Sequence, residues 1–167
     1  MLRLANYDIV FQEIPGETTL ALNLSNCPNC CKGCHSPHLM EDKGEVLNEK
    51  TLSGLLEKYG QAVTCICFMG GDASPQEINH LADFIRQRTQ NKLKTAWYSG
   101  KQHFPKECFL RNFDYLKLGP YIEELGGLTS SETNQRFYRI ANGKMIDETF
   151  RFKKESISEN QAILCEQ

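Results

Sequence analysis

Four cysteines within eight residues constrain this chain more than any other feature of its sequence. They stand in the segment CPNCCKGC, residues 27–34, directly after the apolar run LALNL at 20–24. Thiolates this close together on one loop can converge on a single metal centre without long-range folding. The N-terminus lacks the uninterrupted apolar core of a signal peptide, so we expect the eight cysteines of the chain to be metal ligands and buried thiols rather than disulfides.

Two subsets of these thiols have a spacing suited to a metal loop. Cys27, Cys31 and Cys34 are separated by three residues and then by two, whereas Cys30 in place of Cys31 gives two and then three. The first subset resembles the cluster loop of radical S-adenosylmethionine (SAM) enzymes, in which three thiolates hold a [4Fe–4S] cube and the fourth iron stays open to SAM. A structural zinc knuckle built from all four thiols, with the neighbouring histidines available to it, is the alternative.

Length and charge predict one domain and give no sign of a polyanionic or membrane partner. The chain of 167 residues is expected to fold as a single radical SAM domain, with its cysteine loop at 26–35 and a frayed polar tail from about 152 to 167. A formal net charge of −2 gives no nucleic-acid footprint, and no apolar run approaches the roughly 20 residues that span a bilayer. We therefore expect a cytoplasmic protein with neither nucleic acid nor membrane as a partner.

Apolar runs that alternate with helical patterns predict a parallel sheet with right-handed crossovers. Helices are predicted at about 49–59, capped by Asn48, and at about 75–88, where SPQE at 74–77 supplies a capping box. A third, short helix is predicted near 105–112. The predicted strands are 8–14, 19–25, 62–69, 93–98 and 114–118, and a C-terminal hairpin joins 136–141 to 144–150 around Asn142-Gly143.

The chain supplies too few units for an eightfold barrel, so we predict an α/β fold: a partial, open parallel β/α barrel with a C-terminal β-hairpin. The resemblance of the cysteine loop implies a barrel of radical SAM type. Because chemistry in such sheets gathers at the carboxyl ends of the strands, the segments that follow strands are expected to meet. Ser99 lies in the segment 99–100 and Lys117 in the segment 117–120, and both residues are expected to border a SAM pocket. An ordinary ion pair with Asp114 is the alternative for Lys117. The four segments are 27–34, 70–72, 99–100 and 117–120.

Two further cysteines, Cys65 and Cys67, lie two residues apart on a predicted strand and so point to the same face. Free cysteine is among the most buried residue types, so we expect both to be core residues. Ligation of a second cluster is the alternative, and it would need partners that the sequence does not display.

Four motifs together resemble one family, the activating proteins of anaerobic ribonucleoside-triphosphate reductase, which are small radical SAM glycyl-radical activases. The resemblance extends over about residues 8–150. The motifs are Cys27-x-x-x-Cys31-x-Gly33-Cys34-His35-x-Pro37, Gly70-Gly71-Asp72, GPYIEE at 119–124 and TNQR at 133–136.

The resemblance implies a role for each residue of the first two motifs. The cluster ligands are Cys27, Cys31 and Cys34, with Cys30 as a bystander. Gly33, Cys34 and His35 lie against SAM, and Gly70, Gly71 and Asp72 receive its methionyl amino group. No catalytic side chain is implied beyond the cluster and SAM.

The same resemblance implies the reaction and the partners. A flavodoxin-like or ferredoxin-like donor supplies one electron, and SAM is cleaved to methionine and a 5′-deoxyadenosyl radical. That radical takes a hydrogen atom from a backbone glycine of the large subunit of the anaerobic reductase. The alternatives are an activase of another glycyl radical enzyme, a small-molecule radical SAM enzyme, or a zinc-stabilised binding module without catalysis.

The sequence departs at several places from the patterns of radical SAM proteins or of this family, although the family tolerates an aspartate at position 72. The Cys30-Cys31 doublet adds a thiol that the loop pattern does not require. Asp72 is one methylene shorter than the glutamate that many radical SAM proteins have there, and the following proline is displaced to Pro75. Lys117 stands near the glycine of a later strand, where the family usually has an acidic residue.

Overall fold

Eight strands form one mixed sheet in the computed structural model, which describes residues 1–153. The spatial order of the strands is β3-β1-β2-β4-β5-β6-β7-β8, and two α-helices connect parts of the sheet. The helices are α1 (Glu49–Tyr59) and α2 (Pro75–Arg88). The strands are β1 (Arg3–Val10), β2 (Thr19–Leu24), β3 (Glu45–Val46), β4 (Cys65–Met69), β5 (Lys94–Tyr98), β6 (Tyr115–Leu118), β7 (Arg136–Ala141) and β8 (Lys144–Asp147).

The centre of the sheet is parallel, and both of its sides are antiparallel. Strands β2, β4, β5 and β6 run parallel, while β1 and β3 flank them on one side and β7 and β8 on the other. Helices α1 and α2 make the crossovers from β2 to β4 and from β4 to β5. Parallel strands that are covered on both faces are rich in apolar residues, as the sequence CICFM of β4 illustrates. Because β2, β4, β5 and β6 are parallel neighbours, their carboxyl ends lie at the same edge of the sheet.

The two faces of the sheet carry different apolar clusters. Ile66 and Phe68 of β4 belong to the large cluster under the helices, which includes the inner face of α2. Cys65 and Cys67 point the other way, into a smaller cluster with Tyr98 and other residues. Both thiols are fully buried, which confirms the prediction that they share a core face.

Helix α1 begins where the sequence predicts, because the Asn48 side chain accepts a 3.0 Å hydrogen bond from the Thr51 N–H. The capping box predicted for α2 is wrong, since the Ser74 side chain makes no capping bond. Glu77, its expected partner, instead accepts a 2.9 Å bond from the Leu2 N–H. A competing tertiary contact has thus replaced the local one.

Several predicted boundaries shift in the structure, and the strand predicted at 62–69 begins only at Cys65. The first strand lies at Arg3–Val10 rather than 8–14, because its ladder with β2 ends at the pair Val10 and Thr19. The helix predicted near 105–112 is only a 3-10 turn, Leu110–Asn112. Strand β8 ends at Asp147, and a 3-10 turn at Thr149–Phe152 follows it.

The C-terminal hairpin turns at Asn142 and Gly143, as predicted. Both residues have positive φ, 51° and 70°, which suits the tight turns that the Asn-Gly pair favours. Most of the tail that we expect to be frayed, from 154 onward, lies outside the described residues. Among residues 1–153, the helices are too short and too polar to cross a membrane.

Candidate metal centre

A cavity of about 480 Å³ lies at the carboxyl ends of the parallel strands. The cysteine loop, the ends of β4, β5 and β6 and the turn between β1 and β2 all contribute to its wall. The four segments that the sequence predicts to converge therefore do meet. Residues of the wall include Glu13, Cys27, Asn29, Cys31, Cys34, His35, Met69, Gly70, Asp72, Tyr98, Gly100, Lys117, Tyr121 and Gln135.

Three of the four loop thiols line this cavity, and the fourth does not. Cys27, Cys31 and Cys34 are half-buried in its wall, whereas Cys30 is exposed and has φ of +46°. Within residues 1–153, no three His, Cys, Asp or Glu side chains are close enough to hold one metal ion. The sulfur ligands of a cubane bind different irons and lie farther apart than the ligands of a single zinc ion. A set of three soft thiol donors around one cavity therefore fits a [4Fe–4S] cluster.

The surroundings of Cys27 raise the pKa of its thiol. Burial raises its pKa, and the nearby Asp72 carboxylate acts in the same direction, while hydrogen bonds from Asn29 act against them. A cysteine must lose its proton to become a ligand, so cluster binding at this position releases a proton.

Backbone hydrogen bonds fix both ends of the cysteine loop. The Cys27 N–H donates a 3.0 Å hydrogen bond to the Leu39 carbonyl, and the neighbouring Asn26 N–H donates a 3.1 Å bond to the Glu41 carbonyl. Farther along, the Cys34 N–H donates to the Cys31 carbonyl at 3.2 Å, and the Ser36 N–H points at the Cys34 sulfur at 3.4 Å. The loop thus presents its sulfurs from an ordered backbone.

Asp72 is the most heavily hydrogen-bonded side chain of the site. Only 8% exposed, it accepts a 2.6 Å bond from the Ser99 hydroxyl and a 2.8 Å bond from the Gly100 N–H. The Asn29 amide donates a third bond, of 2.5 Å, to the same carboxylate. A carboxylate offers about four acceptor positions, so one remains for a ligand. Ser99 is fully buried and does not line the cavity. It is connected to the cavity by its hydrogen bond to Asp72.

The two glycines before Asp72 have different surroundings. Gly70 lines the cavity, with φ of +98°, and its carbonyl accepts a hydrogen bond from Trp97. Gly71, with φ of +84°, lies behind the wall, where an added Cβ would be 2.5 Å from Ile78 Cδ1. Gly71 is therefore required by backbone conformation and packing rather than by direct access to the cavity.

The segment after Lys117 covers the outer side of the cysteine loop. A Cβ on Gly33, which has φ of +70°, would lie 3.0 Å from the Glu123 carboxyl group, so this glycine borders the covering segment and not the cavity. The rings of His35 and Tyr121 lie 5.0 Å apart and line the cavity together.

Lys117 lies in the cavity wall and does not pair with Asp114. Asp114 instead forms a 2.8 Å ion pair with Arg86, so the predicted alternative of an ordinary pair is wrong. Lys117 Nζ donates a 3.4 Å bond to the Gly119 carbonyl. Burial lowers the pKa of this ammonium, while Asp72 and the Cys31 and Cys34 sulfurs oppose that shift.

Several residues of the wall were given no role from the sequence, among them Glu13, Asn29 and Tyr121. Burial raises the pKa of Glu13, and the Lys117 ammonium acts against that shift. Asn29 lies between two cysteines of the motif, so the sequence places it near the site. The spacing of the cysteines does not predict the direction of a side chain that lies between them. Tyr121 belongs to the GPYIEE motif at 119–124, but the motif does not indicate that its ring lines the cavity. Glu13 carries no local signal, because it enters the wall from the turn between β1 and β2.

Comparison with known proteins identifies one family. The family model described as the 4Fe-4S single cluster domain matches residues 15–140, which is more than half of the chain. Neither the curated proteins nor the solved structures contain a significant match to the sequence.

Proposed function

Because the chain belongs to the 4Fe-4S single cluster domain family, we propose that it is a radical SAM activase of anaerobic ribonucleoside-triphosphate reductase. In this proposal the protein cleaves SAM reductively at one [4Fe–4S] cluster and generates a glycyl radical on the large reductase subunit. The electron comes from a flavodoxin-like or ferredoxin-like donor. The fold in this proposal is the partial, open barrel of radical SAM enzymes.

One observation supports the proposal above the others: three loop thiols line the cavity, while the fourth thiol is exposed outside it. A cubane held by Cys27, Cys31 and Cys34 has one iron without a protein ligand. Clusters that only transfer electrons typically have a complete set of four protein ligands, most often four cysteines. A site with three thiols beside a cavity of this size favours a cluster that binds a small molecule.

The charged groups of the cavity suit the methionyl part of SAM. Lys117 supplies an ammonium for the SAM carboxylate. The free acceptor position of Asp72, with the Glu13 carboxylate across the cavity, supplies negative charge for the SAM amino group. When bound, the cluster supplies the electron for cleavage of the SAM sulfonium bond.

The apolar part of the wall suits a reactive product. Tyr98 belongs to the smaller apolar cluster and Met69 packs against it, and both line the cavity. Leu39 and Leu128 add further apolar surface to the wall. Such a wall excludes water from the place where the adenosyl group would lie. The open side of the cavity would be closed by the protein substrate, which presents the target glycine.

The test uses anaerobically purified protein in which the cluster has been reconstituted. Iron and acid-labile sulfide are expected near four each per chain, and the paramagnetic resonance signal of the reduced cluster should change on addition of SAM. 5′-Deoxyadenosine should be released, and a glycyl radical should form on added anaerobic reductase. A protein that binds about one zinc per chain and leaves SAM intact would overturn the proposal in favour of a zinc-stabilised binding module.

One outcome would separate the activase from other radical SAM enzymes. Release of 5′-deoxyadenosine without a radical on the reductase would overturn the assignment of the partner. It would favour an activase of another glycyl radical enzyme, or an enzyme with a small-molecule substrate.

A further inference from the structure

We infer that Asn29 is a positioning residue of the cluster, which fixes the Cys27 sulfur and raises the reduction potential. Its side-chain amide donates one N–H to Cys27 and the other to Asp72. The inference rests on the proposed ligand Cys27, but not on SAM cleavage or on the identity of the partner.

The geometry of the amide carries the first step. Asn29 Nδ2 lies 3.7 Å from Cys27 Sγ and 2.5 Å from Asp72 Oδ2. An amide group has two N–H donors, so one nitrogen can make both contacts. The carboxylate that receives the second bond is buried and is itself held by Ser99 and Gly100. The donor to the sulfur is therefore anchored to the end of β5, outside the loop that carries the ligand.

Gly100 supplies an independent observation. A Cβ built at this position would lie 2.3 Å from Asn29 Nδ2 and 2.9 Å from Asn29 Cγ, and its three nearest atoms all belong to Asn29. The φ of Gly100 is outside the positive range, so its backbone accepts an L-residue. Glycine is thus needed at position 100 to leave room for the Asn29 amide. Two separate segments of the chain are shaped around this one side chain.

The direction in which Asn29 shifts the reduction potential of the cluster follows from charge. An N–H that points at a ligand sulfur withdraws electron density from it, and this favours the reduced, more negative form of the cluster. Removal of the donor should therefore make the reduction potential more negative. Displacement of the same amide by a methyl group at position 100 should have the same sign.

The experiment is a redox titration of the cluster, followed by paramagnetic resonance in the absence of SAM and reductase. The variants are Asn29→Ala, Gly100→Ala and the double substitution, and Cys30→Ser is the control on the same loop. Each potential is taken from the cluster-loaded fraction, so partial loss of iron does not affect the comparison.

At a solution potential equal to the wild-type midpoint, the ratio of reduced to oxidised cluster should fall about threefold or more in both single variants. The double variant should fall no further than the larger single effect, because both changes act through one amide. Asn29→Ser, which returns a hydroxyl donor, should recover part of the ratio. The Cys30→Ser ratio should equal that of wild type.

Wild-type potentials in both Asn29→Ala and Gly100→Ala would overturn the inference, as would additive shifts in the double variant. Since no SAM is present, failure of the activase proposal leaves this result unaffected. Conversely, a protein that cleaves SAM with an unshifted potential in these variants would retain the proposed function and lose only the role of Asn29.

Discussion

The indole nitrogen of Trp97 donates a 2.7 Å hydrogen bond to the carbonyl oxygen of Gly70. Trp97 is fully buried in the core cluster under the helices, and Gly70 lines the cavity. A core side chain therefore fixes the turn that borders the candidate cluster site. Stability and ligand binding should be coupled through this contact.

The first prediction concerns Trp97→Phe. The substitution keeps an aromatic ring but leaves the Gly70 carbonyl without its donor, so we expect the free energy of unfolding to fall by about 1–3 kcal/mol. Urea denaturation measures this change, and calorimetry of the loaded protein should show weaker binding of SAM. Unchanged stability together with unchanged affinity would contradict the coupling.

The second prediction separates the two adjacent cysteines. Cys31→Ala should abolish stable cluster binding, because this thiol lies in the cavity wall. Cys30→Ala should leave the iron content largely intact, because that thiol is exposed and outside the wall. Iron and sulfide analysis after anaerobic reconstitution decides the matter. If the Cys30 variant alone loses its iron, the ligand assignment is wrong.

The third prediction addresses Lys117. Lys117→Met should raise the Kd for SAM about tenfold or more, because under the proposed function it removes the charged partner of the SAM carboxylate. Lys101→Met is the matched control, since this exposed lysine lies close by but outside the wall. Burial lowers the pKa of the Lys117 ammonium. As the pH rises, the affinity for SAM should therefore begin to fall at a lower pH than it would with a lysine of ordinary pKa. Equal effects of both substitutions would rule out a specific role.

The fourth prediction concerns Glu17, at the opposite end of the sheet. Burial alone would raise the pKa of this carboxyl, but hydrogen bonds from Lys94, Thr64 and Tyr115 outweigh it, and the net shift is downward. A carboxyl with a lowered pKa stabilises the fold at pH values above its ordinary pKa of about 4.5, and this stabilisation is lost as the pH falls below that value.

Glu17→Gln should therefore lower the free energy of unfolding by about 1–2 kcal/mol at pH 7, with the contribution of the half-exposed Lys94 discounted. The difference from wild type should shrink as the pH falls below about 4.5. Chemical denaturation at pH 7 and at acid pH measures both values. Glu57→Gln, in the exposed pair with Arg88, is the control and should change little. A difference that does not depend on pH would exclude the carboxylate as the cause.

The fifth prediction compares two glycines. Gly71→Ala places a Cβ 2.5 Å from Ile78 and on a residue with φ of +84°, so we expect a loss of about 2–4 kcal/mol. Gly54→Ala, in α1 with nothing within 4 Å of the new Cβ, should instead stabilise the protein by about 0.5–1 kcal/mol. Thermal unfolding of the two variants should give shifts of opposite sign. Shifts of the same sign would contradict this account.

Local sequence patterns predict the helices and the parallel strands well, because their signals are repeated over several residues. The four buried residues on the inner face of α2 follow directly from helical spacing. The capping box failed at Glu77, where a contact with Leu2, distant in the chain, replaced a local one. Sequence spacing places a residue along the chain, but tertiary packing selects its partner.

The same distinction applies within the site. The thiol spacing indicates which cysteines can act together, since three sulfurs must reach one centre. It does not indicate that Gly71 packs against Ile78 or that Gly33 meets Glu123. Both glycines have positive φ, so the sequence correctly marks special backbone positions. The reason for each glycine depends on a neighbour from another part of the fold.

The order of the strands determines when the wall of the cavity becomes complete during synthesis of the chain. Apart from β3, neighbouring strands from β1 to β8 follow one another along the chain, so the sheet can grow by successive addition at one edge. The wall of the cavity, however, draws residues from Gln12 through Phe152. A nascent chain that has not yet released its last strands from the ribosome therefore lacks part of this wall. The thiols of the loop are therefore translated long before the residues that complete the wall around them, the last of which is Phe152.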